Sequence, residues 1–143
     1  MKKTDKRLTG DHFEEITADW MKKNGYKIVA RNWERHPHEL DIVALYGKTL
    51  VFTEVKSASV SNYEPPEKHI DKEKMLSLVK AAAEFLRELE ERGVDVDRLN
   101  KRFDAAAITF TENREITEFK YYENYFTCAD ERFASTDNEE DAG

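Results

Sequence analysis

The chain has 143 residues and a formal charge of −7, from 23 Lys and Arg against 30 Asp and Glu. That size suits one packed core and is short for two. No stretch is apolar for long enough to cross a bilayer, no leader-like run follows Met1, and the lone Cys128 excludes an internal disulfide framework and a Cys-based zinc site, so a cytoplasmic protein is expected.

The first predicted element is a helix over residues 10–24, where Phe13, Ile16, Trp20 and Met21 recur at helical spacing and Asn24-Gly25 supplies a stop. Tyr26 to Trp33 reads as a strand with Tyr26, Ile28 and Ala30 on one face, broken at His36-Pro37. Two more strands, Leu40 to Leu45 and Leu50 to Lys56, flank Tyr46-Gly47-Lys48-Thr49, where a two-residue Gly47-Lys48 loop suits a type II′ hairpin turn. Residues 57–68, with Pro65-Pro66, are expected to be loop. A second helix starts near Asp71, carries Met75, Leu78, Val79, Ala82, Leu86 and Leu89 as its stripe, and ends at Gly93. Residues 94–102 lead to a strand over Phe103 to Phe110, a turn near Glu112-Asn113, and a last strand over Glu115 to Tyr122.

A single domain over 1–133 is expected, followed by an acidic tail, 134–143, too polar to pack and expected to be disordered. The overall charge argues at first against a nucleic-acid partner. Residues 128–143, however, hold six acids against Arg132 alone, so the remaining 127 residues carry only −2 and can still present a basic groove. The order αβββαββ combines an antiparallel hairpin with a strand-helix-strand crossover, which predicts an α/β fold with a mixed central sheet and helices on its faces.

The hairpin holds the most informative residues. Side chains alternate along a strand, so Glu54 and Lys56 project from one face. A Gly47-Lys48 loop pairs Tyr46 with Thr49 and, counted back, sets Asp41 across from Glu54. Opposed residues have Cβ atoms roughly 4.5–5.5 Å apart, where like charges repel. A divalent cation held by both carboxylates, with Lys56 beside it, would resolve the repulsion.

Asp41 followed by Glu54-Val55-Lys56 has the form of the PD-(D/E)XK signature of restriction-endonuclease-like nucleases. More fully, the chain resembles the YraN family of small bacterial proteins with that fold. The resemblance runs through Asn24-Gly25-Tyr26, Arg31-Asn32-Trp33, the run from His38 to Ala44, the run from Leu50 to Lys56, Lys74 into the helix as far as Leu86, and Arg102-Phe103-Asp104. It covers about residues 10–126, and His38 and Thr53 depart from the family's usual Gly and apolar residue.

The resemblance implies a three-layer α/β/α fold and a metal-dependent endonuclease, a hydrolase of DNA phosphodiesters with branched or single-stranded forms as expected substrates. RNA and homodimer formation stay open. It implies Mg²⁺ or Mn²⁺ held by Asp41 and Glu54, with a helix acid in addition. Counting back from Trp20-Met21 and Gly25 selects Glu14 for that acid, with Glu15 as the alternative. Lys56 would orient the attacking water or neutralise the developing phosphorane, in an in-line hydrolysis without a covalent intermediate.

Competing readings exist for each residue. Asp104 followed by Glu118-Phe119-Lys120 has nearly the same spacing, but Glu118 and Lys120 share a face with Ile116 while Thr117, Phe119 and Tyr121 take the other, the pattern of a solvated edge strand. His12, His36, His38 and His69 lack zinc-ligand spacing and read as surface residues, His38 lying nearest the acids. Lys68, Lys72 and Lys74 read as a phosphate-contacting surface or a solvated helix face. Trp20 and Trp33 read as core anchors, Arg31 and Arg35 as phosphate contacts or plain surface charge, and Glu39 as a strand-edge charge. A catalytically silent nucleic-acid-binding module and a buried structural ion cluster are the alternatives to an enzyme.

Overall fold

The computed structural model describes residues 5–61 and 64–127, with side chains from Gly10 onward; Cys128 and the expected acidic tail lie outside the described residues. Helix α1 (Asp5–Lys23) precedes strands β1 (Lys27–Arg35), β2 (His38–Tyr46) and β3 (Thr49–Ser59). A 3-10 turn at Pro66–His69 then leads to helix α2 (Lys72–Glu91), and a second one at Val96–Arg98 to strands β4 (Asn100–Phe110) and β5 (Ile116–Phe126). The strands form one sheet in the order β1-β2-β3-β4-β5, antiparallel except for the parallel pair β3 and β4 that α2 connects.

The sheet is covered on both faces, which makes the three layers expected from the element order. On one face Val43, Leu50, Phe52, Phe103 and Ala105 pack with Met75, Leu78, Ala82 and Phe85 of α2. On the other, Ile42, Ala44 and Val51 pack with Ala18 and Met21 of α1 and with Tyr26. β3 lies at the centre and buries both faces of its pleat, as its apolar run requires. Removing a side chain such as Phe52 from this core would cost about 3–5 kcal/mol.

Both helices end by the same device. In α1 the Gly25 N–H donates to the Lys22 carbonyl at 3.2 Å and the Tyr26 N–H to Met21 at 2.9 Å, with Gly25 at φ 91°. Gly93 and Val94 repeat the pattern after α2, with bonds to Glu90 and Leu89. These are Schellman ends, in which glycine takes the left-handed conformation that a side chain disfavours. At the start of α2 the Asp71 side chain caps the Lys74 N–H at 2.8 Å.

The structure corrects several expected boundaries. The register shifts between Ile28 and Ala30, leaving Val29 unpaired and 44% exposed. Ile28 therefore faces α1 while Ala30 faces α2, not one common face with Tyr26. Residues 57–59 are strand rather than loop, because Ser57, Ala58 and Ser59 pair with Ile108, Thr109 and Phe110. β4 starts earlier than Phe103, at Asn100, paired with Thr49. β5 runs past Tyr122 to Phe126, whose buried ring stacks on Phe103 at 4.6 Å between centroids. The first helix begins at Asp5, before Gly10.

Candidate functional site

The hairpin has the expected register, Tyr46 opposite Thr49 around Gly47 at φ 60°. Pairing of β2 with β3 continues as far as Ile42 and Thr53. The next rung would set Asp41 against Glu54, and there a side chain takes over from the ladder: Asp41 Oδ2 accepts the Val55 N–H at 2.9 Å. Counted by alternation from Val43 and Phe52, which pack under α2, the two carboxyl side chains take the same side of the sheet, and the charge of Glu54 bears on Asp41. Burial, and then the charge of Glu54, hold Asp41 well above the usual carboxylate range.

Two ammonium groups flank the pair, both against the buried Glu54, which is 4% exposed. Lys56 Nζ lies 3.8 Å from Glu54 Oε2, and Lys74 Nζ, reaching down from the first turn of α2, lies 3.1 Å from the same oxygen. Burial acts to lower the Lys74 pKa, but Glu54, with Asp41 and Glu39 behind it, outweighs that and holds the ammonium above its ordinary value.

Glu14 approaches from the α1 layer. It is half-buried, whereas Glu15, the alternative helix acid, is exposed. Burial raises its carboxyl to about 7, with Asp41 and Asp11 adding to the rise and Arg31 opposing it. Its Oε1 is buried without a hydrogen-bond partner among the described residues. An acid so placed is under-satisfied, the condition in which a carboxylate gains most from a cation. Among the described residues no three His, Cys, Asp or Glu side chains close on one point as a preformed cage. Asp41 and Glu54 form a pair of neighbouring acids, and Glu14 is a third whose charge bears on Asp41.

The other candidates separate clearly. Glu39, Arg31, His12, His36 and His69 are exposed, and Arg35 lies 4.0 Å from Glu88 at the surface. His38 Nε2 is 3.8 Å from Glu84 Oε1, turned to α2. Trp20 stacks on Tyr121 at 4.6 Å, and Trp33 packs edge-on against Phe85 while its Nε1 donates to Glu88 at 2.8 Å, so both are anchors. Lys68 is exposed, and of the two lysines grouped with it by sequence, Lys72 and Lys74, Lys74 is the one paired with Glu54. The signal for Lys74 was its spacing to the buried Leu78, Ala81 and Phe85, which puts it on the sheet-facing side of α2.

The second acid cluster is built differently. Asp104 accepts two bonds from the Arg102 guanidinium, each 2.8 Å, one from the Tyr121 hydroxyl at 2.6 Å and one from the Asn124 N–H at 2.8 Å. Glu118 and Lys120 stay at the surface, 3.6 Å apart.

A model of the family described as "Uncharacterised protein family UPF0102" matches residues 13–108. The chain belongs to the UPF0102 family. Relatives include UPF0102 proteins of Geobacter metallireducens, 32% identical over 84% of this chain and 93% of the relative, and of Kosmotoga olearia, 43% identical over 61% and 77%. A UPF0102 protein of Caldanaerobacter subterraneus is 36% identical over 60% of this chain and 70% of its own. The UPF0102 match contains Glu14, Asp41, Glu54, Lys56 and Lys74 and ends before β5 begins, so the whole candidate site lies in the part shared with the family. No helix among the described residues is long and apolar enough to cross a membrane.

Proposed function

We propose that this UPF0102 protein is a divalent-metal-dependent endonuclease acting on DNA, with branched or single-stranded forms as its substrates. The observation that carries the reading is the pair of facing carboxyl groups, Asp41 and Glu54, set where two strands part and flanked by two ammonium groups. An acid pair of which one member is buried and the other half-buried has little structural value, because desolvation offsets its attraction to nearby cations. Its hard oxygen donors suit Mg²⁺ or Mn²⁺, which use one or two carboxylates and leave the remaining positions to water and phosphate oxygens. The unsatisfied Glu14 oxygen fits the same demand for positive charge.

With Mg²⁺ or Mn²⁺ bound, the chemistry supplied is polarisation of the phosphodiester and a lower pKa for water at the site. The chain's own groups do the rest. Asp41 and Glu54 would hold the ion, Glu54 loosening a lysine contact at the oxygen both lysines approach, and Glu14 would hold water on the α1 side. Lys56, about a third exposed, can turn from Glu54 to the attacking water or to a non-bridging phosphate oxygen.

The test is incubation of labelled duplex, single-stranded and four-way-junction DNA with Mg²⁺ or Mn²⁺, comparing wild type with Lys56→Ala. Cutting by wild type that falls about a hundredfold or more in the variant supports the reading. Binding without cutting in both would instead indicate a catalytically silent nucleic-acid-binding protein, and equal cutting in both would place the activity elsewhere.

A further inference from the structure

Lys74 stands closer to the acid pair than Lys56 does, comes from a different layer, and belongs to no expected Glu-x-Lys pattern. We infer that Lys74 is a resident counter-ion for Glu54, displaced when a divalent ion is taken up and then free to hold a phosphate of the substrate. The inference rests on the metal-dependent reading of the site.

Three observations carry it. The first is position: Lys74 Nζ lies 3.1 Å from Glu54 Oε2, the oxygen that Lys56 also approaches at 3.8 Å, so one carboxylate oxygen has two ammonium groups. A further cation cannot take that oxygen unless one of them leaves. The second is anchoring. The Lys74 backbone N–H is capped by Asp71 at 2.8 Å and the neighbouring Met75 is fully buried, so the root of the side chain is fixed while its tip, on a stem of four methylenes, is free to turn. The third is exposure: the Lys74 side chain is 26% exposed against 4% for Glu54, so the ammonium has a solvent-side path and the carboxylate does not. The moving partner is therefore the lysine.

Electrostatics then sets opposite signs for two measurable affinities. An ammonium against Glu54 opposes entry of a second cation at that oxygen, so its removal tightens metal binding. The same removal takes one positive charge from the surface that meets the nucleic-acid backbone, so DNA binding weakens and depends less on salt. An arginine at this position would hold Glu54 more firmly, through a planar two-pronged contact, and would resist displacement. A lysine that merely filled space or stabilised the fold would not move the two affinities in opposite directions.

The experiment is isothermal calorimetry with Mn²⁺ on wild type, Lys74→Met and Lys74→Arg, together with binding of a labelled four-way junction in Ca²⁺ at several salt concentrations. Lys74→Met is expected to bind Mn²⁺ roughly three- to tenfold tighter and the junction roughly three- to tenfold more weakly, with a salt slope smaller by about one. Lys74→Arg is expected to bind Mn²⁺ more weakly than wild type, and it carries the test if the Met variant does not fold. Wild type that takes up Mn²⁺ with both variants indistinguishable from it overturns this inference and leaves the nuclease reading standing. Wild type that takes up no Mn²⁺ overturns both.

Discussion

Asp104 and Glu54 are adjacent in the sheet's register, on β4 and β3, and equally withdrawn from water, at 2% and 4% exposed. Their surroundings differ in kind. Asp104 has four donors: the two arms of Arg102, the Tyr121 hydroxyl and the Asn124 N–H. Arg102 in turn donates to the Tyr26 hydroxyl at 2.7 Å. Glu54 has a second carboxyl group and two ammonium groups beside it, and Glu14, whose charge bears on Asp41, has a buried oxygen left over. Burial alone therefore says little about function; the number of unmet demands on the buried groups says more. The first network is complete within the fold, and the second leaves buried demand unmet.

Substitution should give opposite signs at the two places. Asp104→Ala leaves Arg102 without its partner and is expected to cost about 3–5 kcal/mol, measured by urea unfolding. Asp41→Asn keeps an acceptor for the Val55 N–H and removes the contest between two acids, so at pH 8 without metal it should stabilise the protein by about 1–2 kcal/mol. A loss of stability in Asp41→Asn as large as that in Asp104→Ala would erase the distinction between the clusters.

Glu14 sharpens the same comparison through pH. Its folded value of about 7 lies above the ordinary 4.5, so between those limits the folded state binds more protons than the unfolded one and stability falls as pH rises. Glu14→Gln should flatten that fall and be the more stable form above pH 7, by about 1–2 kcal/mol after allowance for solvent screening. Thermal melts from pH 4 to 8.5 would show it, and parallel curves for the two proteins would refute it. The smallest effect belongs to the exposed pair: Glu118→Ala with Lys120→Ala should change stability by less than about 0.5 kcal/mol and leave DNA cutting unaltered.

The residues that could be read in advance were those whose neighbours contradicted them. Glu54 stood out because the strand around it is apolar on both sides, and Asp41 followed once Gly47 fixed the turn and with it the register. The second Asp and Glu-x-Lys spacing was separable by its polar flanks, and the structure puts Glu118 and Lys120 on a solvated edge. What stayed hidden depended on contacts distant in sequence. The orientation of Ala30 turns on an unpaired Val29 that no local pattern marks. Residues 57–59 are strand because β4 pairs with them, not because their side chains favour it. The Arg102 network was invisible because its members, Tyr26, Asp104, Tyr121 and Asn124, come from three parts of the chain. Lys74 was legible as a helix lysine, but its role required knowing that α2 lies over Glu54.

The central claim is that Asp41 and Glu54 together form a seat for a divalent ion. Calorimetric titration of Mn²⁺ into wild type and Asp41→Asn at pH 8 tests it most directly. The account predicts saturable uptake by wild type and its loss in the variant. Identical titrations for the two proteins, with or without heat, would contradict it.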